Sequence, residues 1–179
     1  ARAYEALVSA SEGLAESSLA LDLYAGAGIT TKMLARRFRD VVPVESFPDA
    51  ARALGIEPTS VVDALASRIA KNAPRPDFVL ANPPRAGLGE AVCKSLVTLA
   101  PERIAIMSCH PGSLVRDLAT LEASGYRRAS VQWFDTLGGK AKIVYEGGAF
   151  RFYAEGQLRG LVASGGPDST ITLTRWTMK

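Results

Sequence analysis

A chain of 179 residues, 47% hydrophobic and 22% charged, has the composition of one globular domain with a full core, which excludes a disordered protein. Its two cysteines, Cys93 and Cys109, are too few for a disulfide framework, a zinc cage or an iron–sulfur cluster, so no metal is expected. A net charge of +3 permits a polyanionic partner without demanding one.

No apolar run reaches the length of a transmembrane helix and no signal peptide opens the chain, so the expectation is a reducing, cytoplasmic setting with no membrane partner. The first residue is Ala1 rather than Met, which is compatible with a piece of something longer. Basic residues gather at Arg36, Arg37 and Arg39, at Arg68, Lys71 and Arg75, and at Arg127 and Arg128; each group reads as a solvated face.

Residues Tyr4 to Glu16 carry Leu7, Val8 and Leu14 among alanines and glutamates and predict a leading helix. Leu19-Ala20-Leu21-Asp22-Leu23-Tyr24 predicts the first strand, which breaks into Ala25-Gly26-Ala27-Gly28 before helical periodicity resumes through Arg37. Strand, glycine turn and helix form a mononucleotide-binding start, in which glycines let a ligand approach the backbone. A dinucleotide pattern requires glycine where Thr31 stands, which disfavours NAD. A second strand, Asp40–Val44, ends in Glu45, and an acidic residue about twenty positions beyond the glycines suits hydrogen bonding to a ribose diol.

Thr59-Ser60-Val61-Val62 predicts a third strand leading to Asp63, which would cap a helix over Ala64–Asn72. The fourth, Phe78–Ala81, runs into Asn82-Pro83-Pro84-Arg85-Ala86-Gly87, where two prolines force a rigid turn and hold Asn82 at the strand's carboxyl end. Leu88 to Leu99 predicts a helix whose Cys93 serves packing.

Ile104-Ala105-Ile106-Met107-Ser108-Cys109-His110-Pro111-Gly112 then reads as a strand buried on both faces that stops at Pro-Gly. The helix that follows, Ser113 to Ala123, would take Ser113 as its cap. Cys109 would thus stand at the carboxyl end of a central strand, where open α/β sheets place ligands, and an active thiol there needs its pKa lowered by a helix N-terminus, His110 or an arginine. After a strand at Ala129–Phe134, Lys142–Glu146, Ala149–Ala154, Gln157–Val162 and Thr170–Trp176 are strand-like runs separated by glycine turns. The tail is expected to be antiparallel. The reading is an α/β fold: a Rossmann-like sheet with helices on both faces over 1–140, and an antiparallel β extension over 141–179 that completes the sheet or forms a small appendage.

Three motifs, Leu21-Asp22-Leu23-Tyr24-Ala25-Gly26-Ala27-Gly28, Asn82-Pro83-Pro84-Arg85-Ala86-Gly87-Leu88 and Ser108-Cys109-His110-Pro111, stand in this order, and the last continues as Leu114-Val115-Arg116-Asp117-Leu118. Order and spacing resemble the catalytic domain of the TrmA/RumA family of RNA 5-methyluridine methyltransferases, over about Leu19 to Phe134. The resemblance implies a class I methyltransferase using S-adenosyl-L-methionine (SAM) on an RNA partner, a tRNA or rRNA, with a separate RNA-binding domain or chain. It implies that Asp22, Tyr24, Gly26, Gly28 and Asn82 line the cofactor site, with Glu45 at the ribose and Asp63 at the adenine. Arg85 would order the target base and Cys109 would be the nucleophile.

The sequence departs from the family in places. Asn82 stands where the family has Asp, and Ala25 and His110 stand where it usually has Cys and Asn. The family's closing Phe-Pro-x-Thr-x-His-x-Glu segment carries the proton-removing base; here Trp133-Phe134-Asp135-Thr136-Leu137 begins similarly and no His-x-Glu follows. Glu146 is the nearest downstream carboxylate and is taken as the base, with Asp135 inside the altered segment. Two other readings stay open: a non-catalytic SAM- or RNA-binding module of the same fold, and methylation of an amino group, which needs no thiol.

Overall fold

A computed structural model describes residues 2–14, 18–108, 110–134, 141–146, 149–154, 157–160 and 170–176. The elements run α1 (Arg2–Ser9), β1 (Leu19–Leu23), α2 (Ile29–Leu34), β2 (Asp40–Val44), α3 (Pro48–Leu54), α4 (Val61–Ala70), β3 (Phe78–Ala81), α5 (Glu90–Leu99), β4 (Arg103–Ser108) and α6 (Pro111–Ala123). β5 (Arg127–Phe134), β6 (Ala141–Glu146), β7 (Ala149–Ala154), β8 (Gln157–Gly160) and β9 (Thr170–Trp176) follow.

Four parallel strands in the order β2-β1-β3-β4 carry the domain. Their apolar runs follow from burial on both faces. Alternate residues divide between two cores. Ala20, Phe78, Leu80, Ala105 and Met107 pack with Leu7 and Val8 of α1 and Leu34 of α2, and Phe38 stacks on Phe78 with centroids 5.6 Å apart. Leu21, Leu23, Val79, Ala81, Ile104 and Ile106 meet Leu65 of α4, Val92 and Leu96 of α5, and Leu114, Leu118 and Leu121 of α6. Helices thus cover both faces, and each fully buried leucine contributes about 1.5–3 kcal/mol. Cys93 is fully buried in the second core, as a packing residue should be.

Because β2 and β3 flank β1 on opposite sides, the chain reverses direction across the sheet at β1. Ligands in such sheets bind beyond the carboxyl ends of the strands at that reversal. Leu23 pairs with Ala81, and the Asn82 N–H donates to the Leu23 carbonyl at 3.3 Å, so the glycine turn and the Asn-Pro-Pro turn leave the sheet side by side.

Several expectations need correction. The predicted third strand does not form: Ser60 caps α4, which starts at Val61. The Ser60 hydroxyl accepts the Asp63 N–H at 3.1 Å and donates to the Asp63 carboxylate at 2.6 Å. This reciprocal cap overrides the β preference of Val61 and Val62, and Ser60, not Asp63, holds the cap position. α1 ends at Ser9, short of the predicted Glu16. α3 was not anticipated; Pro48 at its first turn starts it and Gly55, at φ 68°, closes it. At α6 the cap is His110, whose Nδ1 accepts the Ser113 N–H at 3.2 Å, so Ser113 lies inside the helix.

In the C-terminal part β6, β7 and β8 pair antiparallel. β9, expected to be antiparallel as well, instead runs parallel to both β4 and β5 and lies between them. The strand alternation of Thr170–Thr174 fixes that a strand forms, but carries no information on its direction.

Candidate functional site: two turns at the sheet's carboxyl edge

Asp22 is the penultimate residue of β1 and fully buried on the α2 side of the sheet. Its carboxylate accepts the hydroxyls of Thr30, at 2.8 and 3.0 Å, and of Thr31, at 2.6 Å. Burial pushes the Asp22 carboxyl above its ordinary range; the Thr31 and Thr30 hydroxyls oppose that rise and the charge of Glu45 adds to it. A glycine at position 31 would forfeit one of these bonds, so the missing dinucleotide glycine has a structural replacement.

Beyond Tyr24 the chain turns through Gly26, φ 55°, and Gly28, φ 78°. A Cβ at Gly28 would stand 2.2 Å from Leu54 Cδ2 of α3, which ties the unexpected helix to the glycine turn. Tyr24 also takes a left-handed conformation, φ 60°, a strained choice for an aromatic residue. Its ring packs against the core on the opposite side from Asp22. Burial raises its hydroxyl to about 12, helped by the charge of Asp117.

Glu45 closes the turn from the neighbouring strand. Its Oε2 accepts the Gly26 N–H at 2.7 Å, and its Oε1 accepts the N–H groups of Ser46 and Phe47, both at 2.7 Å. Gly26 and Glu45 are therefore tied across the two strand ends, and the charge of Glu45 reaches Asp22 through space. The Thr59 N–H donates to the Glu45 carbonyl at 2.8 Å, keeping the start of α4, with Asp63, beside it. Phe47, 63% exposed, and Val62, 44% exposed, are apolar side chains left open here. Sequence reasoning missed both; an aromatic residue directly after a strand-end acid was the available signal.

The second turn follows β3. Asn82 is half-buried, Pro83 buried, and Arg85 exposed. No hydrogen bond or ion pair to a described residue holds the Arg85 guanidinium, whereas its carbonyl accepts the Ser113 hydroxyl at 2.9 Å. Asp117 of α6, also missed by sequence reasoning, has its carboxylate buried against the same turn. It accepts the Leu88 N–H at 2.6 Å and the Gly89 N–H at 3.2 Å.

Cys109 lies outside the described residues, between Ser108, the last residue of β4, and His110. The Ser108 hydroxyl accepts the His110 N–H at 3.2 Å and donates to the His110 carbonyl at 3.1 Å, bridging that position. Asp135 also lies outside the described residues; Glu146 ends β6, and its side chain is outside them too. Among the described residues no group of three or more His, Cys, Asp or Glu is placed to hold a metal, and no helix is long and apolar enough to cross a membrane.

Fold and site define a Rossmann-like α/β domain with acidic side chains at the carboxyl ends of its first two strands. The chain is similar to RNA methyltransferases, among them a uracil-C5 enzyme of the TrmA/RumA family. An uncharacterized RNA methyltransferase of Porphyromonas gingivalis is 36% identical over 129 residues, which is 65% of this chain and 28% of that protein. One from Halalkalibacterium halodurans is 32% identical over 133 residues, covering 68% of this chain and 29% of its own length. The 23S rRNA (uracil(747)-C(5))-methyltransferase RlmC of Shewanella halifaxensis is 49% identical over 61 residues, 34% of this chain and 16% of RlmC. The chain thus spans less than a third of these relatives. No family model matches it.

Proposed function

We propose that the chain is the catalytic domain of a SAM-dependent RNA uracil C5-methyltransferase. The observation that carries the reading is the pairing of an acidic glycine turn with a clamped Asn-Pro-Pro-Arg turn at adjacent strand ends. Similarity to RlmC supports uracil as the base. RNA as partner and a cytoplasmic setting belong to the same proposal, as do the division into 1–140 and 141–179 and a separate RNA-binding domain or chain.

The donor set fits SAM. Glu45 keeps lone-pair capacity on Oε2 for a ribose hydroxyl, buried Asp22 offers negative charge to a cationic ligand, and exposed Phe47 and Val62 offer apolar surface to an adenine beside Asp63. SAM bound there supplies an electrophilic methyl group. Tyr24, Gly26, Gly28 and Asn82 would line the same cofactor site.

Carbon 5 of uracil is too weak a nucleophile to take that methyl unaided. The Cys109 thiolate would add to carbon 6, and the electron pair released into the ring would make carbon 5 an enolate carbon able to take the methyl group, with the methyl–sulfur bond breaking and the neutral thioether leaving with its electron pair. Arg85 holds the base, which must be flipped or single-stranded for in-line geometry. Glu146 then removes the carbon 5 proton, and the carbon–sulfur bond breaks to return the thiolate.

The test incubates the protein with labelled SAM and total RNA and identifies any modified nucleoside. Free 5-methyluridine, lost in Cys109→Ala while SAM still binds, is the expected result. Glu146→Gln should then stall the reaction as a covalent protein–RNA band on denaturing gels. Unmodified RNA and no band, with SAM and RNA both bound, overturns catalysis.

A further inference from the structure

We propose that Asp117 is a positioning residue that sets the Arg85 turn against α6, so that the target base meets an arginine of fixed place. The inference rests on the reading of Arg85 as the base-ordering group.

A carboxylate only 2% exposed must find donors, and Asp117 finds them in two places. Leu88 and Gly89 donate their N–H groups across 29 and 28 residues of chain. Arg116 donates from Nε at 3.2 Å and Nη2 at 2.9 Å. The same Arg116 Nη2 donates to the Ala86 carbonyl at 2.7 Å, and the Ser113 hydroxyl to the Arg85 carbonyl at 2.9 Å. Successive turns of α6 therefore grip the segment at residues 85, 86, 88 and 89.

Gly87 lies at the centre of that grip. At φ 82° a Cβ there would stand 2.3 Å from Asp117 Oδ2, 2.9 Å from Ser113 Cβ and 3.0 Å from Arg116 Nη2. The carboxylate approaches the backbone closely because nothing but hydrogen is in the way. Arg85 itself stays exposed and unpaired to any described residue, so its backbone is fixed while its guanidinium remains available. Fixing the backbone leaves only side-chain torsions to order when a base arrives. α6 starts two residues after Cys109 in the chain, so one helix anchors the arginine turn and follows the thiol.

The test uses the full chain with Asp117→Asn, Asp117→Ala and the milder Arg116→Ala, whose side chain is 56% exposed. Amide hydrogen exchange at Leu88 and Gly89 should rise about tenfold or more, least for Arg116→Ala, while β1 and β4 amides keep their protection. Affinity for a single-stranded uridine-rich oligonucleotide should fall about tenfold, with SAM affinity within about twofold of wild type. In a cycle with Arg85→Ala, Asp117→Asn should add no further loss of RNA affinity, because it acts through that arginine. Unchanged exchange at Leu88 and Gly89 overturns the proposal. Equal loss of SAM and RNA affinity, or full additivity with Arg85→Ala, overturns it as well, leaving a merely structural carboxylate. These arms need no turnover: absence of methylation by the wild-type protein sinks the uracil C5 reading and leaves Asp117 to be judged by exchange and binding.

Discussion

The two turns at the carboxyl edge solve one problem in opposite ways. The glycine turn after β1 is held by carboxylates close in sequence: Asp22 takes hydroxyls eight and nine residues on, and Glu45 takes the Gly26 N–H nineteen residues back. The Asn-Pro-Pro-Arg turn after β3 is held from α6, by a carboxylate arriving 28 residues or more later. Local bonding lets the first turn form with its own strand–turn–helix unit. The second can reach its final shape only once α6 has packed. Both turns bury their carboxylates, Asp22 and Glu45 in the first and Asp117 in the second, but only the second leaves an arginine outside.

The largest effect that sharpens this contrast should come from Gly87→Ala. The left-handed conformation and a collision with a carboxylate fixed by four hydrogen bonds together predict a loss of about 3 kcal/mol. Urea unfolding reads it directly, and a loss below about 1 kcal/mol would show that the α6 grip yields. Next comes Glu45→Gln. One carboxylate oxygen serves Gly26 and the other serves Ser46 and Phe47, so an amide must turn N–H against N–H on one side. About 2 kcal/mol of stability should be lost together with SAM affinity, measured by calorimetry. Undisturbed stability with lost SAM binding would mean that the turn does not depend on its acid. Gly26→Ala should cost less, about 1 kcal/mol, since the positive φ is the main penalty and no atom of a described residue lies within 4 Å of the added Cβ.

The same contrast explains what was legible in the sequence. The first turn could be read because its pattern of strand, glycines and acid is written within one short stretch. Asp117 could not: in Val115-Arg116-Asp117-Leu118 an Arg-Asp pair on a helix looks like a solvated face. It points inward because Leu88 and Gly89 have N–H groups that nothing local satisfies. The misplaced third strand has a different cause. Val61 and Val62 were weighed by composition, while the decisive signal was the Ser60-to-Asp63 spacing of a helix cap, present in the sequence and outweighed. At β9 composition announced a strand, but its parallel pairing with β4 and β5 depends on the connection through the preceding sheet. Cys109 lies outside the described residues, so its role rests on the sequence.

The smallest effect, and the one with an unusual sign, concerns Asp22. Burial holds its carboxyl above the ordinary range in the folded protein, so between the unfolded and folded values the native state binds more protons than the unfolded one. Stability from this group is therefore fully present below the unfolded value and lost as pH rises through the folded one. At neutral pH the ionised carboxylate is a net cost, softened by the Thr30 and Thr31 hydroxyls. Asp22→Asn should remove that cost while its amide keeps one oxygen to accept from the threonines and an N–H to donate to them. The variant should gain slightly on wild type in urea titrations at neutral pH, and the gain should vanish as acid protonates the wild-type carboxyl. SAM affinity should fall at neutral pH, because the charge facing a cationic ligand is gone. A gain in stability paired with a loss of binding is the mark of a carboxylate kept for its ligand. If Asp22→Asn instead destabilises at every pH, Asp22 is a structural link between β1 and α2, and the buried carboxylates of both turns then serve structure alike.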